Sequence, residues 1–193
     1  MAETILIQDQ QKHTIWDNYV SILKNDRTTD VYLTEVIDIP SVYDEFCYVL
    51  ESAYVGDTIR LHINNGGGSA DSAFMIVDAM KNSKAHTIGK ISGMVASAST
   101  IIAMYCDELV VADYSQLMIH NYFHGAQGTG NQVKEYVNFT DKEFTAAVKK
   151  VYAGFITPSE MDQVSKDDKE LWFGAQEVRE RWAAKKLAEA ADE

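Results

Sequence analysis

The sequence predicts an α/β fold with a largely parallel sheet, because short strands and helices alternate along the middle of the chain. The strand-like segment 58–63 ends in glycines before an apolar helix, and the apolar segment 87–91 leads to a small-residue turn at Ser97 before another. Two further short strands are predicted at 108–112 and 116–120. Since functional groups gather beyond the carboxyl ends of parallel strands, the glycines, Ser97 and the end of the last strand are expected at one edge.

Before these segments, the pattern predicts a helix from Trp16 to about Leu23, after a short apolar piece at 5–7. Residues 31–33 are predicted to form a strand, and a further helix begins near Pro40, which suits a first-turn position. The apolar residues of that helix lie on one stripe: Tyr43, Phe46, Cys47, Leu50 and Tyr54.

The glycine run Gly66–Gly68 separates a strand from a helix predicted at about 71–81. Such a loop could bind phosphate, but the Gly-Lys-Ser/Thr signature and the Rossmann spacing are both missing. Its backbone N–H groups are equally suited to stabilise an oxyanion.

The last third of the chain is predicted to be mostly helical. Residues 121–131 are rich in glycine and aromatic residues and should form a loop, followed by a long helix over about 132–155. The far end of so long a helix should project and pack against something else, such as another subunit. A capping box at Thr157 opens a short helix, and the final helix from Ala175 ends in a tail, about 184–193, that we expect to fray.

Composition bounds the class of protein. A chain of 193 residues with 46% hydrophobic and 24% charged residues is most simply one domain, with an N-terminal segment at about 1–13. The net charge of −12 argues against nucleic-acid or anionic-membrane partners. No apolar run is long enough to span a membrane, and the N-terminus lacks the pattern of a secretory signal.

The cysteines and histidines predict no disulfide, metal or cofactor. Cys47 and Cys106 lie in apolar helical patterns and are expected to be buried thiols of a cytoplasmic protein. His120 and His124 are four residues apart, but the glycines after them favour a loop over a helical metal site. His62 and His86 are expected to be structural.

Ser97 has the setting of a nucleophile. Its hydroxyl lies at the entry of a buried helix, among residues too small to crowd it. Free backbone N–H groups at such a position can receive the negative charge that develops on an attacked carbonyl. The alternative is that small residues here simply let a strand and a helix pack closely.

Four segments together resemble the ClpP family, the proteolytic subunits of the Clp protease. These are the strand and Gly-Gly loop at 58–69, the serine turn at 93–98, the strand ending in histidine at 117–120 and the first strand and turn at 31–38. The resemblance covers roughly residues 14–183. It implies a ClpP/crotonase-like fold of repeated β-β-α units, with the long helix as a protruding handle.

The resemblance also implies a catalytic triad, with Ser97 as nucleophile and His120 as general base. The family orients its histidine with an aspartate two residues before an aromatic residue, and the matching residue here is Glu170. A glutamate can fill this role. Asp168 and Asp167 are alternatives, and a merely solvated charged loop remains open.

Other site residues follow from the same comparison. The oxyanion donors would be the N–H groups of Gly67 or Gly68 and of Ala98, while Ser99 is a rival nucleophile. Tyr122 begins the loop that would line the groove for an extended peptide.

The family further implies a peptide or unfolded-protein substrate, no cofactor, and a homo-oligomer of one or two stacked heptameric rings enclosing the sites. An ATP-dependent unfoldase is a candidate partner, although related chains in viral capsid maturation work without one. Two alternatives stay open. One is another crotonase-fold enzyme, either a Ser-Lys peptidase or an acyl-CoA enzyme; the other is an inactive structural paralogue.

Overall fold

One mixed sheet of eight strands organises the computed structural model, which describes residues 12–15, 20–123 and 125–192. The strands are β1 (Lys12–Ile15), β2 (Val20–Asn25), β3 (Thr28–Leu33), β4 (Thr58–Asn65), β5 (His86–Ala96), β6 (Glu108–Val111), β7 (Gln116–Ile119) and β8 (Leu171–Gly174). The helices are α1 (Asp44–Glu51), α2 (Ala70–Asn82), α3 (Ala98–Ala103), α4 (Gly130–Val151), α5 (Pro158–Asp167) and α6 (Ala175–Asp192). The predicted α/β class is confirmed, and the architecture is consistent with the ClpP/crotonase fold.

The sheet is parallel at its centre and antiparallel at its ends. The strands β3, β4 and β5 pair in parallel, whereas β1 and β2 form an antiparallel extension and β8 runs antiparallel to β7. The long strand β5 pairs in parallel twice, first with β6 and then with β7. Its second half therefore ends beside the end of β7, and this junction places the candidate site.

The core forms where apolar strand faces meet buried helices. Alternate residues of β4 are buried, as a half-exposed strand requires, and every residue of α3 is buried. The large side chains that are almost wholly buried include Leu33, Tyr43, Phe46, Leu50, Ile59, Leu61, Ile63, Ile76, Ile91, Ile102, Leu117 and Phe155.

The predicted helix from Trp16 to Leu23 is wrong over its described part. Residues 16–19 and the apolar piece at 5–7 lie outside the described residues, but 20–23 belong to strand β2. The period-two burial of β2 and its pairing on both sides with β1 and β3 outweigh the helical spacing of its apolar residues. Asp26, with a φ of 49°, makes the tight turn into β3.

Smaller differences concern the predicted helix stripe and the cysteines. A 3₁₀ helix at Pro40–Tyr43 precedes α1, which ends at Glu51, so Tyr54 lies beyond the helix and is exposed. Cys47 is only half-buried, whereas Cys106 is buried in the turn after α3. Both thiols are free.

The final helix α6 continues to Asp192, and the fraying of the tail at about 184–193 stays a prediction. The side chain of Lys185 is buried and holds this helix to the body of the domain. Its Nζ donates to the carbonyl of Ala153 at 3.2 Å and pairs with Glu189 at 2.7 Å.

The long helix is shorter than predicted and divides into two halves. Its last turns are buried at Val148 and Val151, while its first half exposes apolar side chains, including 64% of Phe139. The exposed apolar side chains of this helix therefore lie mainly in its first half, and its projection from the domain stays a prediction. None of the described helices has the length and apolar character needed to cross a bilayer.

Candidate active site

Ser97 and His120 meet at the junction of β5 and β7. The Nε2 of His120 lies 2.6 Å from the Oγ of Ser97, a hydrogen-bonding distance. The parallel register pairs Ala96 with Met118, so Ser97 lies one residue and His120 two residues beyond this pair. The N–H of Ser97 also donates to the carbonyl of Met118 at 2.9 Å, which extends the strand pairing to the serine itself.

The backbone of Ser97 is strained. Its φ of 55° and ψ of −129° lie in a region that residues with a Cβ rarely adopt, at a cost of about 1–3 kcal/mol. This sharp turn between β5 and α3 directs the hydroxyl toward His120. The carbonyl of Ser97 is fixed by two donors from Thr100, its N–H at 2.9 Å and its Oγ1 at 2.6 Å.

The glycine loop lies directly against the serine turn. A Cβ on Gly67, whose φ is +92°, would lie 2.6 Å from both the carbonyl oxygen of Ala96 and the Cβ of Ser97. A Cβ on Gly68 would lie 2.1 Å from the carbonyl oxygen of Ile37. Only glycine therefore lets the two loops approach this closely.

The two predicted oxyanion donors in the loop differ. The N–H of Gly67 donates to the side chain of Asn65 at 2.8 Å, so it is not free for a substrate. The N–H groups of Gly68 and Ala98 have no acceptor among the described residues, and both residues line the cavity beside Ser97. Gly68 and Ala98 are thus the pair that can donate to a bound carbonyl oxygen.

Ser99, the rival nucleophile, is wholly buried. Its Oγ donates to the carbonyl of Ala96 at 2.7 Å and accepts from the N–H of the same residue at 3.2 Å. This hydroxyl is committed to the backbone of the serine turn and has no contact with His120 among the described hydrogen bonds.

The structure does not bring a carboxylate to His120. Glu170 is exposed and accepts a hydrogen bond from the indole of Trp172 at 3.0 Å. Asp168 accepts from the side chain of Asn121 at 2.9 Å, one residue beyond the histidine, and Asp167 is exposed. Within the described part of the chain, no carboxylate is hydrogen-bonded to or ion-paired with His120, so the identity of the third residue stays a prediction.

A cavity of about 500 Å³ opens in front of the serine. Apolar side chains from α3, β7 and α4 form much of its wall, together with the loop after His120. Tyr122 lines it and packs against Phe144 at 4.8 Å between ring centroids. Burial and the neighbouring Asp141 raise the pKa of Tyr122, which keeps its hydroxyl protonated to donate to that carboxylate at 3.3 Å.

The other histidines lie away from this cavity or outside the described part of the chain. His62 is hydrogen-bonded to Asp30 at 2.7 Å and its ring stacks on Tyr32. Burial opposes ionisation of Asp30, but hydrogen bonds from Arg60 and His62 outweigh it and lower the pKa of that carboxyl. His86 lies near two exposed carboxylates on the surface. The side chain of His13 and all of His124 are outside the described residues.

A metal centre needs several ligating side chains close together. Among the residues that the structure describes, no three or more His, Cys, Asp or Glu side chains are grouped so as to hold a metal ion.

Three residues that support the glycine loop and the serine turn were not predicted from the sequence. Asn65 is buried and joins the glycine loop to β3, because its Nδ2 donates to the carbonyl of Leu33 while its Oδ1 accepts from Gly67. Thr100 and Tyr152 form a buried pair behind Ser97, 52 positions apart in sequence. The polar Asn65 at the end of an apolar strand was a usable signal, whereas nothing local links Thr100 to Tyr152.

The sequence is similar to known proteins of one family. The family model of the Clp protease matches residues 11–184. A protein named ATP-dependent Clp protease proteolytic subunit 2, from Treponema denticola, is 29% identical over 145 residues, covering 72% of this chain and 70% of that protein. Subunit 3 from Rhizobium meliloti is 26% identical over 132 residues, 64% of each chain. Subunit 2 from Borreliella burgdorferi is 22% identical over 174 residues, 86% of this chain and 84% of that protein.

The glycine loop gives a matched pair of substitutions. We expect Gly67→Ala to lower the free energy of unfolding by at least about 2 kcal/mol, because the new Cβ meets backbone atoms and the φ is unfavourable. Gly66→Ala should change it by less than about 1 kcal/mol, since its nearest atom is the Cε of Met94 at 3.6 Å. Denaturant unfolding of both variants makes the comparison. Equal stabilities would show that the two loops do not need their close approach.

Proposed function

Because this chain belongs to the Clp protease family, we propose that it is a serine-type endopeptidase with Ser97 as its nucleophile. The observation that carries the proposal is the hydrogen bond of 2.6 Å between the Oγ of Ser97 and the Nε2 of His120 at the mouth of a cavity. An imidazole at this distance can take the hydroxyl proton as the oxygen attacks a carbonyl.

In the proposed acylation, Ser97 Oγ bonds to the scissile carbonyl carbon and its proton moves to His120 Nε2. The carbonyl electron pair moves to the oxygen, which the N–H groups of Gly68 and Ala98 stabilise. When this intermediate collapses, the C–N bond breaks, and the leaving amine takes the proton from His120. The product is an ester of Ser97, the acyl-enzyme.

Deacylation reverses these roles with water. His120 removes a proton from a water molecule, whose oxygen attacks the ester carbon. The bond to Ser97 Oγ breaks, the proton returns to the serine, and the peptide is released as a carboxylic acid. No redox partner or cofactor is needed for either half of the reaction.

The lining of the cavity argues against both of the other crotonase-fold enzymes. No lysine is among the described residues that line it, which disfavours a Ser-Lys mechanism. No arginine lines it either, whereas Asp71 does, and this charge is unsuited to the phosphates of an acyl-CoA. The loop that begins at Tyr122 supplies the groove along which an extended peptide would pair through its main chain.

The third catalytic residue is proposed from the family, with Glu170 as the first candidate. Asp167 is the last residue of α5, and the segment 168–170 connects it to β8, which pairs with β7 directly before His120. This antiparallel register pairs Ile119 with Leu171, so His120 and Glu170 are the next residues beyond the paired ends, which supports Glu170 as the candidate. A Ser-His pair without a carboxylate is the arrangement that an inactive paralogue would retain.

A ring-shaped oligomer enclosing the active sites is proposed on the exposed apolar side chains of α4. Tyr136, Val137 and Phe139 are exposed in the first half of that helix, which also borders the cavity. A second copy of the chain would bury these side chains, at roughly 25 cal/mol per Å² of apolar surface. Two stacked heptameric rings and an ATP-dependent unfoldase partner stay predictions from the family.

Covalent labelling tests the nucleophile. A fluorophosphonate should phosphonylate the wild-type protein with loss of fluoride, and Ser97→Ala should abolish the adduct seen by intact mass spectrometry. His120→Ala should slow labelling by at least about 100-fold, since general-base catalysis contributes that much. Ser99→Ala is the matched control, because it removes the serine hydroxyl two residues away, and its adduct should still map to Ser97. An adduct that persists in Ser97→Ala contradicts the assignment.

Replacing each candidate carboxylate by its amide tests which residue is the third member of the catalytic triad. If Glu170 orients His120, Glu170→Gln should reduce kcat for a peptide substrate by about 100-fold or more with little change in KM, because the substitution removes the charge that stabilises the imidazolium. Asp168→Asn and Asp167→Asn should then stay within about threefold of wild type. A loss confined to one of the aspartates would transfer the role to it, and wild-type rates in all three would favour a dyad.

The proposed assembly is tested on the exposed face of α4. Wild-type protein should sediment as a ring-sized particle, and Phe139→Glu should shift it to smaller species because a charge would enter the buried contact. Asn138→Glu adds the same charge to the neighbouring exposed position and should leave the particle intact. A monomeric wild type, or identical sedimentation of both variants, would argue against this surface as the contact.

A further inference from the structure

A buried chain of hydrogen bonds connects the end of α4 to the backbone of the nucleophile. The Oγ1 of Thr100 lies 2.6 Å from the carbonyl oxygen of Ser97 and 2.7 Å from the phenolic oxygen of Tyr152. Thr100 is wholly buried, and Tyr152 is 3% exposed. Neither residue belongs to the proposed Ser97–His120 pair.

The carbonyl oxygen of Ser97 fixes the direction of both hydrogen bonds. A carbonyl oxygen can only accept, so the single hydroxyl proton of Thr100 is donated to Ser97. Tyr152 must therefore donate its own proton to Thr100. Burial supports this state, because it raises the pKa of Tyr152 to about 12 and so keeps the phenol protonated.

The carbonyl that accepts from Thr100 belongs to Ser97, the residue of the site whose backbone is strained. The φ of 55° at Ser97 persists only where its neighbours hold it, and the Oγ1 of Thr100 is one of three donors or acceptors that do so. The other two are backbone groups, the carbonyl of Met118 and the N–H of Thr100. The hydroxyl of Thr100 is thus the one side-chain contact on the serine backbone among the described hydrogen bonds.

We propose that Thr100 and Tyr152 are positioning residues, which hold the strained peptide of Ser97 so that its hydroxyl stays aimed at His120. The proposal rests on the proposed serine peptidase function. Tyr152 lies at the carboxyl end of α4 and lines the cavity. The hydrogen bonds from Tyr152 to Thr100 and from Thr100 to Ser97, here called the relay, therefore connect the wall of the substrate site to the backbone of the nucleophile. Because Tyr152 acts through Thr100, its effect on the reaction depends on the threonine hydroxyl.

The rate constant for fluorophosphonate labelling of Ser97 measures this directly, without knowledge of the natural substrate. Thr100→Val, which keeps the shape and removes the hydroxyl, should slow labelling about tenfold, and Thr100→Ser should restore most of the rate. Tyr152→Phe should slow labelling severalfold in the wild-type background and cause no further loss beside Thr100→Val.

A matched control separates positioning from general destabilisation. Thr87 is also buried, at 3% exposed, and its Oγ1 donates to Asp107 at 2.8 Å at the opposite end of β5. Thr87→Val should lose a comparable hydrogen bond yet label at the wild-type rate, when rates are normalised to folded protein.

Three results would overturn the proposal. Wild-type labelling rates in Thr100→Val, or an equal cost of Tyr152→Phe in both backgrounds, would refute the relay while leaving Ser97 as nucleophile. A wild-type protein that shows no Ser97-dependent labelling would instead refute the proposed function, and the relay with it. If Thr100→Val does not fold, Tyr152→Phe compared with Thr87→Val decides the question in the same assay.

Discussion

The site depends on one backbone constraint, the parallel pairing of the second half of β5 with β7. This register sets Ala96 opposite Met118, and the N–H of Ser97 continues it by donating to the carbonyl of Met118. The serine and His120 therefore lie side by side before any side-chain contact is considered. A slip of one residue would turn the following side chains to the other face, so the pairing that builds the sheet also builds the Ser-His contact.

The strain at Ser97 is held by its surroundings. The glycine loop packs so closely on the serine turn that a Cβ on Gly67 would overlap backbone atoms, and Asn65 fixes that loop to the neighbouring strand. Ser99 is buried beneath the turn and bonds its backbone. These contacts keep the N–H groups of Gly68 and Ala98 close to the serine, and neither donates to an acceptor among the described residues. Unpaired donors beside the nucleophile are the condition for an oxyanion site.

The acidic segment 168–170 is not joined to His120 by any of the described hydrogen bonds or ion pairs. Its carboxylates are exposed and bonded to Trp172 and Asn121, away from the imidazole. The strand β8 that follows is paired with β7, so the loop is tethered near His120 at one end. The family match and the Ser-His contact support a peptidase, while the third partner of the histidine stays a prediction.

The sequence alone determined the α/β class, the glycine loop, the serine turn and the strand end with His120, because periodicity and turn residues act locally. It misassigned 20–23 as helix, since strand pairing with β1 and β3 overrides a helical spacing. Only the tertiary structure decided which glycine N–H is free, because Asn65 occupies that of Gly67. It also revealed the pairing of Thr100 with Tyr152, which lie 52 positions apart. Contacts of this kind depend on how α4 packs against the sheet, and no local pattern of residues encodes that packing.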